Sequence, residues 1–285
     1  MKKIVERLII FFIGFPLLLS MLLFFPQKNH LLFNLLTIVF SVLGAVEFRN
    51  ILTHKNMVIS VLEAVILSAS VPAAWTMVVS FGFTNHIIPG VFVLGATWIV
   101  VSRIFTTKEQ LESFIGHCAA GFGVMIYPGL FMAWIIQMAL FPGAGLVILV
   151  YFLVAFLNDA VAWVAGVLFG KNNRGYIAAS PSKSIAGFIG GLVASILLGM
   201  IAVWVIPEVF SSNLMPSILA GALLGFGGGV AAIIGDLAES AIKRSAGVKD
   251  SGTLIMGRGG ALDSIDSLAL SAPVYYLLYL ILFTL

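Results

Sequence analysis

The chain has 285 residues, 61% of them hydrophobic and only 9% charged. Soluble domains draw about a quarter of their residues from the charged types, so this composition excludes a soluble protein and points to an integral membrane protein. The net charge of +3 is a small Lys/Arg excess that membrane topology explains, and no basic patch interleaved with exposed aromatics argues for nucleic acid.

A bilayer core takes about 20 apolar residues per helix, and in chain order the sequence offers nine such runs. They are approximately 8–25, 31–46, 57–81, 87–105, 116–140, 144–169, 185–206, 217–234 and 267–285. The expected fold is therefore all-α: a polytopic integral membrane protein of about nine transmembrane helices, with no soluble domain inserted. The N-terminal Met-Lys-Lys-Ile-Val-Glu-Arg resembles the n-region of a signal peptide, but the apolar run behind it is long and lacks a small-x-small cleavage site, so it reads as a retained first helix. Glu63, near the start of the third run, is close enough to the membrane edge to snorkel. His30, His54, His86 and His117 are isolated, without the spacing of metal ligands, and the single Cys118 excludes an intrachain disulfide. Asp159 lies in the middle of the sixth run, where an ionisable group is costly and tends to be functional. The stretch Gly166 to Asn172 is not a phosphate loop, because it has three residues between its glycines and Asn172 stands where Ser or Thr is needed. The glycine runs at 187–191 and 225–229 suit close helix packing at the centre of a bundle.

Basic residues accumulate on the cytoplasmic side of membrane proteins. With nine spans, 14 of the 15 Lys and Arg fall on one side, Lys28 being the exception. The expectation is a cytoplasmic N-terminus, a C-terminus on the opposite side, and cytoplasmic loops at 170–184 and 236–266.

The second of these loops dominates the chemistry. From Gly235 to Asp266 the chain reads GDLAESAIKRSAGVKDSGTLIMGRGGALDSID, the only long polar stretch, with five of the twelve acidic residues. An apolar small-residue run enters it without a breaker, so a helix would carry Asp236, Glu239, Ser240 and Lys243 along one face, at i, i+3, i+4 and i+7. Asp263 and Asp266 are again one turn apart. Carboxylates would converge from two helix ends with basic side chains between them, a mixture that suits a divalent cation and phosphates together. The plain alternative is a solvated loop, with Asp263 capping the last helix.

The order GD, two residues, ES, two residues, KR, four residues, KD, one residue, G, then GG, two residues, D, two residues, D resembles the signature of the phosphatidate cytidylyltransferases. The match covers about thirty residues at fixed spacing. The chain departs from the pattern at Arg258, where the family usually has histidine, and at Ser264, where it tends to have arginine, so no role is carried over to those two. A second resemblance lies in Ser180-Pro181-Ser182-Lys183-Ser184-Ile185-Ala186-Gly187, which is similar to the family's Ser-Pro-Lys-Lys-Thr-x-Glu-Gly. A third is the Asn158-Asp159 pair, like the family's Asn/Asp-Asp in the corresponding helix, which would place Asp159 at the substrate cavity.

The resemblance implies an enzyme of the cytoplasmic membrane, its active site facing the cytoplasm, that converts CTP and phosphatidic acid to CDP-diacylglycerol and pyrophosphate. Residues 1–140 would form about five N-terminal helices and 141–285 the catalytic ones. One or two Mg2+ ions would be held by Asp236, Asp263 and Asp266, while Lys243, Arg244 and Lys249 bring the two anionic reactants together. Ser240 would donate a hydrogen bond, Asp250 would ligate or orient, and Ser180 and Lys183 would contact nucleotide or phosphate. A lipid phosphate is already ionised near neutral pH, so no strong general base is needed. The partners are CTP, phosphatidic acid and membrane lipids, and the glycine-rich faces permit a homodimer. Two other readings stay open: a CTP-dependent polyprenol or phytol kinase, and a secondary transporter using Asp159 and Asp236 to carry ions. A CDP-alcohol phosphotransferase is disfavoured by the missing Asp-Gly-x-x-Ala-Arg core.

Overall fold

The computed structural model describes residues 10–105, 107–255 and 259–285. Arg258 and the N-terminal basic residues Lys2, Lys3 and Arg7 lie outside them. Among the described residues the structure is helical, without a named strand. Seven helices are long and apolar enough to cross a membrane, and two shorter apolar helices occupy the first and fourth expected runs.

In chain order the helices are α1 (Phe15–Phe24), α2 (Gln27–Thr53), α3 (Val61–Phe81), α4 (Ile87–Val101), α5 (Lys108–Glu112), α6 (Phe114–Val124), α7 (Phe131–Gln137), α8 (Ala144–Phe169), α9 (Ile185–Val205), α10 (Ser217–Ser245) and α11 (Leu262–Tyr279). A π-helical turn, Met125–Leu130, joins α6 to α7 around Pro128, which has no N–H to give the helix. Three boundaries lie five residues or more beyond the apolar runs. Helix α2 runs on to Thr53, α10 continues to Ser245, and α11 starts at Leu262, because backbone hydrogen bonding continues past the point where the side chains turn polar. Glu63 turns out to be a capping residue. The Ser60 side chain accepts from the Glu63 N–H, and the Glu63 carboxylate accepts from the Ser60 N–H, so two orphan donors of α3 are satisfied. Lys28, Asn29 and His30 at the start of α2 have φ of 52°, 52° and 59°, a left-handed turn that nothing in the apolar pattern announces.

The chain divides into two compact units, 1–139 with 242–265, and 140–241 with 266–285. In the first, α2 packs on α3. Ser41 of α2 donates to the Pro128 carbonyl at 2.6 Å, satisfying a carbonyl inside the π turn. Phe48 packs on Tyr127 with ring centroids 5.5 Å apart, and Gly44 leaves room for the Ile265 side chain.

In the second unit α8, α9 and α10 pack through small residues, as the glycine runs led us to expect. A Cβ on Gly190 would lie 2.6 Å from the Ala165 methyl, and one on Gly229 would lie 2.8 Å from Ser195 Oγ. Asn158 is fully buried and its Nδ2 donates to Ser195 Oγ at 2.9 Å. Without a hydrophobic effect inside lipid, such backbone approach and interhelical hydrogen bonding hold helices together. Phe141, Phe210 and Tyr279 add an aromatic cluster, in which Tyr279 donates to the Val209 carbonyl at 2.7 Å.

Candidate active site

Within the second unit, Asp236 sits on α10, with Ser240 one turn further along the same helix. Ser240 Oγ donates to Asp236 Oδ1 at 3.4 Å, while Lys183, from the loop before α9, forms an ion pair with Asp236 Oδ2. The loop is shaped to deliver that lysine. Arg174 donates to the Gly166 carbonyl at the end of α8, Lys183 N donates to the Ser180 carbonyl to close a turn, and Ser184 caps α9 by accepting from Gly187 N. The Asp236 and Lys183 side chains keep 22% and 27% of their exposure, so the pair stays open to water and solutes. Glu239, on the same helix, is fully buried.

Gly235 fixes the neighbour of Asp236. A Cβ there would lie 2.6 Å from the Asp266 carbonyl oxygen and 3.2 Å from Ser267 Cα, so the α10 and α11 backbones meet where both helices carry an aspartate. Asp266 Oδ1 accepts from Ser267 N at 2.5 Å. Asp159, on α8, is half-buried.

Within the first unit lie the last turn of α10, from Ile242, and the first of α11, up to Ile265. Lys243 Nζ donates to Asp263 Oδ1 at 2.6 Å, with only 12% and 9% of the two side chains exposed. The Asp263 carboxylate also accepts from Ser251 N at 3.2 Å and from Gly260 N at 2.7 Å. Asp263 therefore organises the connecting loop as well as standing in the first turn of its helix, where the dipole favours a negative charge. Gly259 approaches the same carboxylate with φ of 112°, a conformation that excludes most side chains.

Lys249 and Asp250 are exposed in the loop after α10, and exposed Arg244 donates to the Val248 carbonyl at 3.4 Å. The structure thus brings together Lys183, Asp236 and Ser240 in one unit and Lys243 with Asp263 in the other, and leaves Arg244, Lys249 and Asp250 outside these clusters. Ser180 contributes its carbonyl to the Lys183 turn. Among the described residues no three His, Cys, Asp or Glu side chains gather into a metal-ligating group.

One residue at this site is absent from the motif. Glu47, on α2 and 8% exposed, accepts from Ser251 Oγ and from Leu262 N, both at 2.9 Å. Its only trace in the sequence is an acidic residue directly after an apolar run.

The chain is 38% identical over 143 residues to a phosphatidate cytidylyltransferase of Synechocystis sp., which covers 50% of this chain and 46% of that protein. It is 37% identical over 150 residues to the uncharacterised protein YnbB of Escherichia coli, covering 50% of this chain and 46% of that one. With a phosphatidate cytidylyltransferase of Thermotoga maritima the match is 34% over 186 residues, covering 64% and 66%. The matched stretch thus spans about half the length of the first two of these relatives. The sequence profile of the cytidylyltransferase family matches residues 5–282, nearly the whole chain, and the chain belongs to the cytidylyltransferase family.

Proposed function

We propose that the chain is a phosphatidate cytidylyltransferase, joining CTP and phosphatidic acid into CDP-diacylglycerol with release of pyrophosphate. The observation that carries this reading is the pairing of Lys183 with Asp236 and of Lys243 with Asp263, on helices that bear the family's acidic residues. Each pair offers an anionic oxygen for a cation beside a cation for a phosphate.

The chemistry of the candidate ligands, taken one by one, suits a divalent ion. The candidate ligands Asp236, Asp263 and Asp266 are all carboxylates, the ligand type that hard cations take, and two of them already accept an ammonium proton. Mg2+ usually takes one or two carboxylates and completes its shell with phosphate oxygens and water, so a three-carboxylate cage is not required. One or two Mg2+ ions, when bound, would orient the nucleotide phosphates and offset charge on the departing pyrophosphate.

The chain's own side chains do the rest. An oxygen of the lipid phosphate attacks the α-phosphorus of CTP, a new P–O bond forms, and the bond from the α-phosphorus to the bridging oxygen breaks. Lys183 and Lys243, already positioned by their aspartates, supply positive charge against the repulsion between two anionic reactants. Arg244, in the last turn of α10, and Lys249, in the loop after it, are exposed and would meet incoming phosphate, and Ser240 would hold the Asp236 carboxylate. Asp250 would ligate or orient within the loop, and Asp159, half-buried on α8, would line the substrate cavity. The asymmetry of basic residues supports a cytoplasmic face for this chemistry, where CTP is found, in the inner membrane of a bacterial cell.

The test is CTP turnover by the purified protein. Labelled CTP is expected to give CDP-diacylglycerol and pyrophosphate only when phosphatidic acid and Mg2+ are present, and Asp263→Asn is expected to lower the rate at least a hundredfold. Release of CDP with transfer of a single phosphate would make the protein a lipid kinase instead, and wild-type activity in Asp263→Asn would remove this aspartate from the metal site.

A further inference from the structure

A buried carboxylate is expensive unless it is hydrogen-bonded, and Glu47 is 8% exposed. Glu47 belongs to neither the polar stretch nor the second motif, yet one of its oxygens, Oε2, accepts two hydrogen bonds at 2.9 Å, from Ser251 Oγ and from Leu262 N. Those two residues bracket the loop that carries Gly252, Gly259 and Gly260. The Ser251 hydroxyl, while donating to Glu47, accepts from Asp263 N at 3.3 Å, and the Ser251 N–H donates to the Asp263 carboxylate at 3.2 Å. Glu47 is thus one hydrogen-bonded residue removed from Asp263, and it also fixes the first residue of the helix that bears it. Two glycines of the loop are shaped around this carboxylate: a Cβ on Gly252 would fall on Glu47 Oε1, and one on Gly260 would fall on Glu47 Oε2 and Ser251 Oγ. Alanine at either position would push the clasp apart.

We infer that Glu47 is a positioning residue for Asp263: through Ser251 and the Leu262 N–H it holds the loop and the first turn of α11, and with them the place from which the Asp263 carboxylate would hold a cation. The inference rests on the metal role proposed above for Asp263. It adds to that role a residue from α2, about two hundred positions away in the chain.

The experiment uses the full-length protein in detergent with Mn2+ as the probe, binding being read from the electron paramagnetic resonance signal of free Mn2+ without nucleotide or lipid. Residues that orient metal ligands typically change metal affinity 10- to 100-fold when altered. Glu47→Gln is accordingly expected to raise the Mn2+ dissociation constant at least tenfold and to speed hydrogen exchange at the amides of Ser251, Gly260 and Leu262. Ser251→Ala is expected to shift both in the same direction, while Glu47→Asp recovers part of the affinity. Asp263→Asn, measured alongside, separates the two ideas. If it binds Mn2+ as wild type does, or if wild type itself binds none, the metal reading of Asp263 fails and the inference goes with it. If it loses binding while folded Glu47→Gln and Ser251→Ala keep wild-type affinity, Glu47 does not position Asp263, whatever happens to exchange in the loop. Should Glu47→Gln fail to fold, Ser251→Ala decides alone.

Discussion

At the scale of single residues, the candidate aspartates differ in their neighbours. Asp236 is partly open, held by a lysine from a loop and a serine from its own helix. Asp263 is nearly enclosed, with Lys243 and two backbone amides on its oxygens. An ammonium and a carboxylate that are both close to burial stabilise each other only together, since removing one leaves the other charged and unmatched in a poorly solvated place. Lys243→Met should therefore destabilise the protein by about 3 kcal/mol. Lys243→Met combined with Asp263→Asn should lose much less than the sum of the two single changes, a coupling that thermal or SDS unfolding in detergent would reveal. Lys183→Met is a useful contrast: its pair is more exposed, and its change should weaken CTP binding more than it affects unfolding. The motif named Asp236, Asp263, Lys243 and Lys183 from sequence because spacing along a helix and fixed short distances in the chain are local. Glu47 was invisible to the same reasoning, since its partners Ser251 and Leu262 are distant in sequence and only the fold brings them to α2.

At the scale of elements, glycine is used where helix backbones must approach, and the consequences differ along α10. A Cβ on Gly221 would lie 2.6 Å from Val203 Cγ2 and would also fall on the Gly199 carbonyl, far from any charged side chain named above. Gly221→Val should therefore lower the melting temperature through overpacking of about 1–3 kcal/mol. What remains folded should turn over CTP at a near-normal rate. Gly235→Ala pushes on the Asp266 carbonyl, and its main effect should be a loss of turnover of tenfold or more at a smaller cost in melting temperature. Comparing kcat per folded molecule with the melting temperature for the two variants separates packing from positioning. The capping box of α3 teaches a related lesson. Ser60-x-x-Glu63 is a readable signal for a helix start, yet beside a run of apolar residues the glutamate looked like a snorkelling group. The left-handed turn at Lys28 to His30 had no such signal.

At the scale of the whole molecule, seven long apolar helices and two shorter ones among the described residues make this a multi-pass membrane protein, and the distribution of Lys and Arg makes its sidedness testable. Cys118 is the only cysteine, so a Cys118→Ser background allows single thiols to be placed at will. In intact cells an impermeant maleimide should leave Lys249→Cys unlabelled and should label Asn213→Cys, which is exposed between α9 and α10; the reverse pattern would invert the orientation. Hydropathy alone determined the helical class, the membrane, the order of the spans and the positions of the polar loops, because solvation by lipid acts residue by residue and needs no partner. The linear motif determined the family and named most of the charged residues, because their spacing is held within a few helical turns. Tertiary structure decided which lysine meets which aspartate, that α10 and α11 touch through Gly235, and that Glu47 reaches the loop before α11. Those contacts join residues tens to hundreds of positions apart, and they are set by the geometry of packed helices, which no local pattern in the chain records.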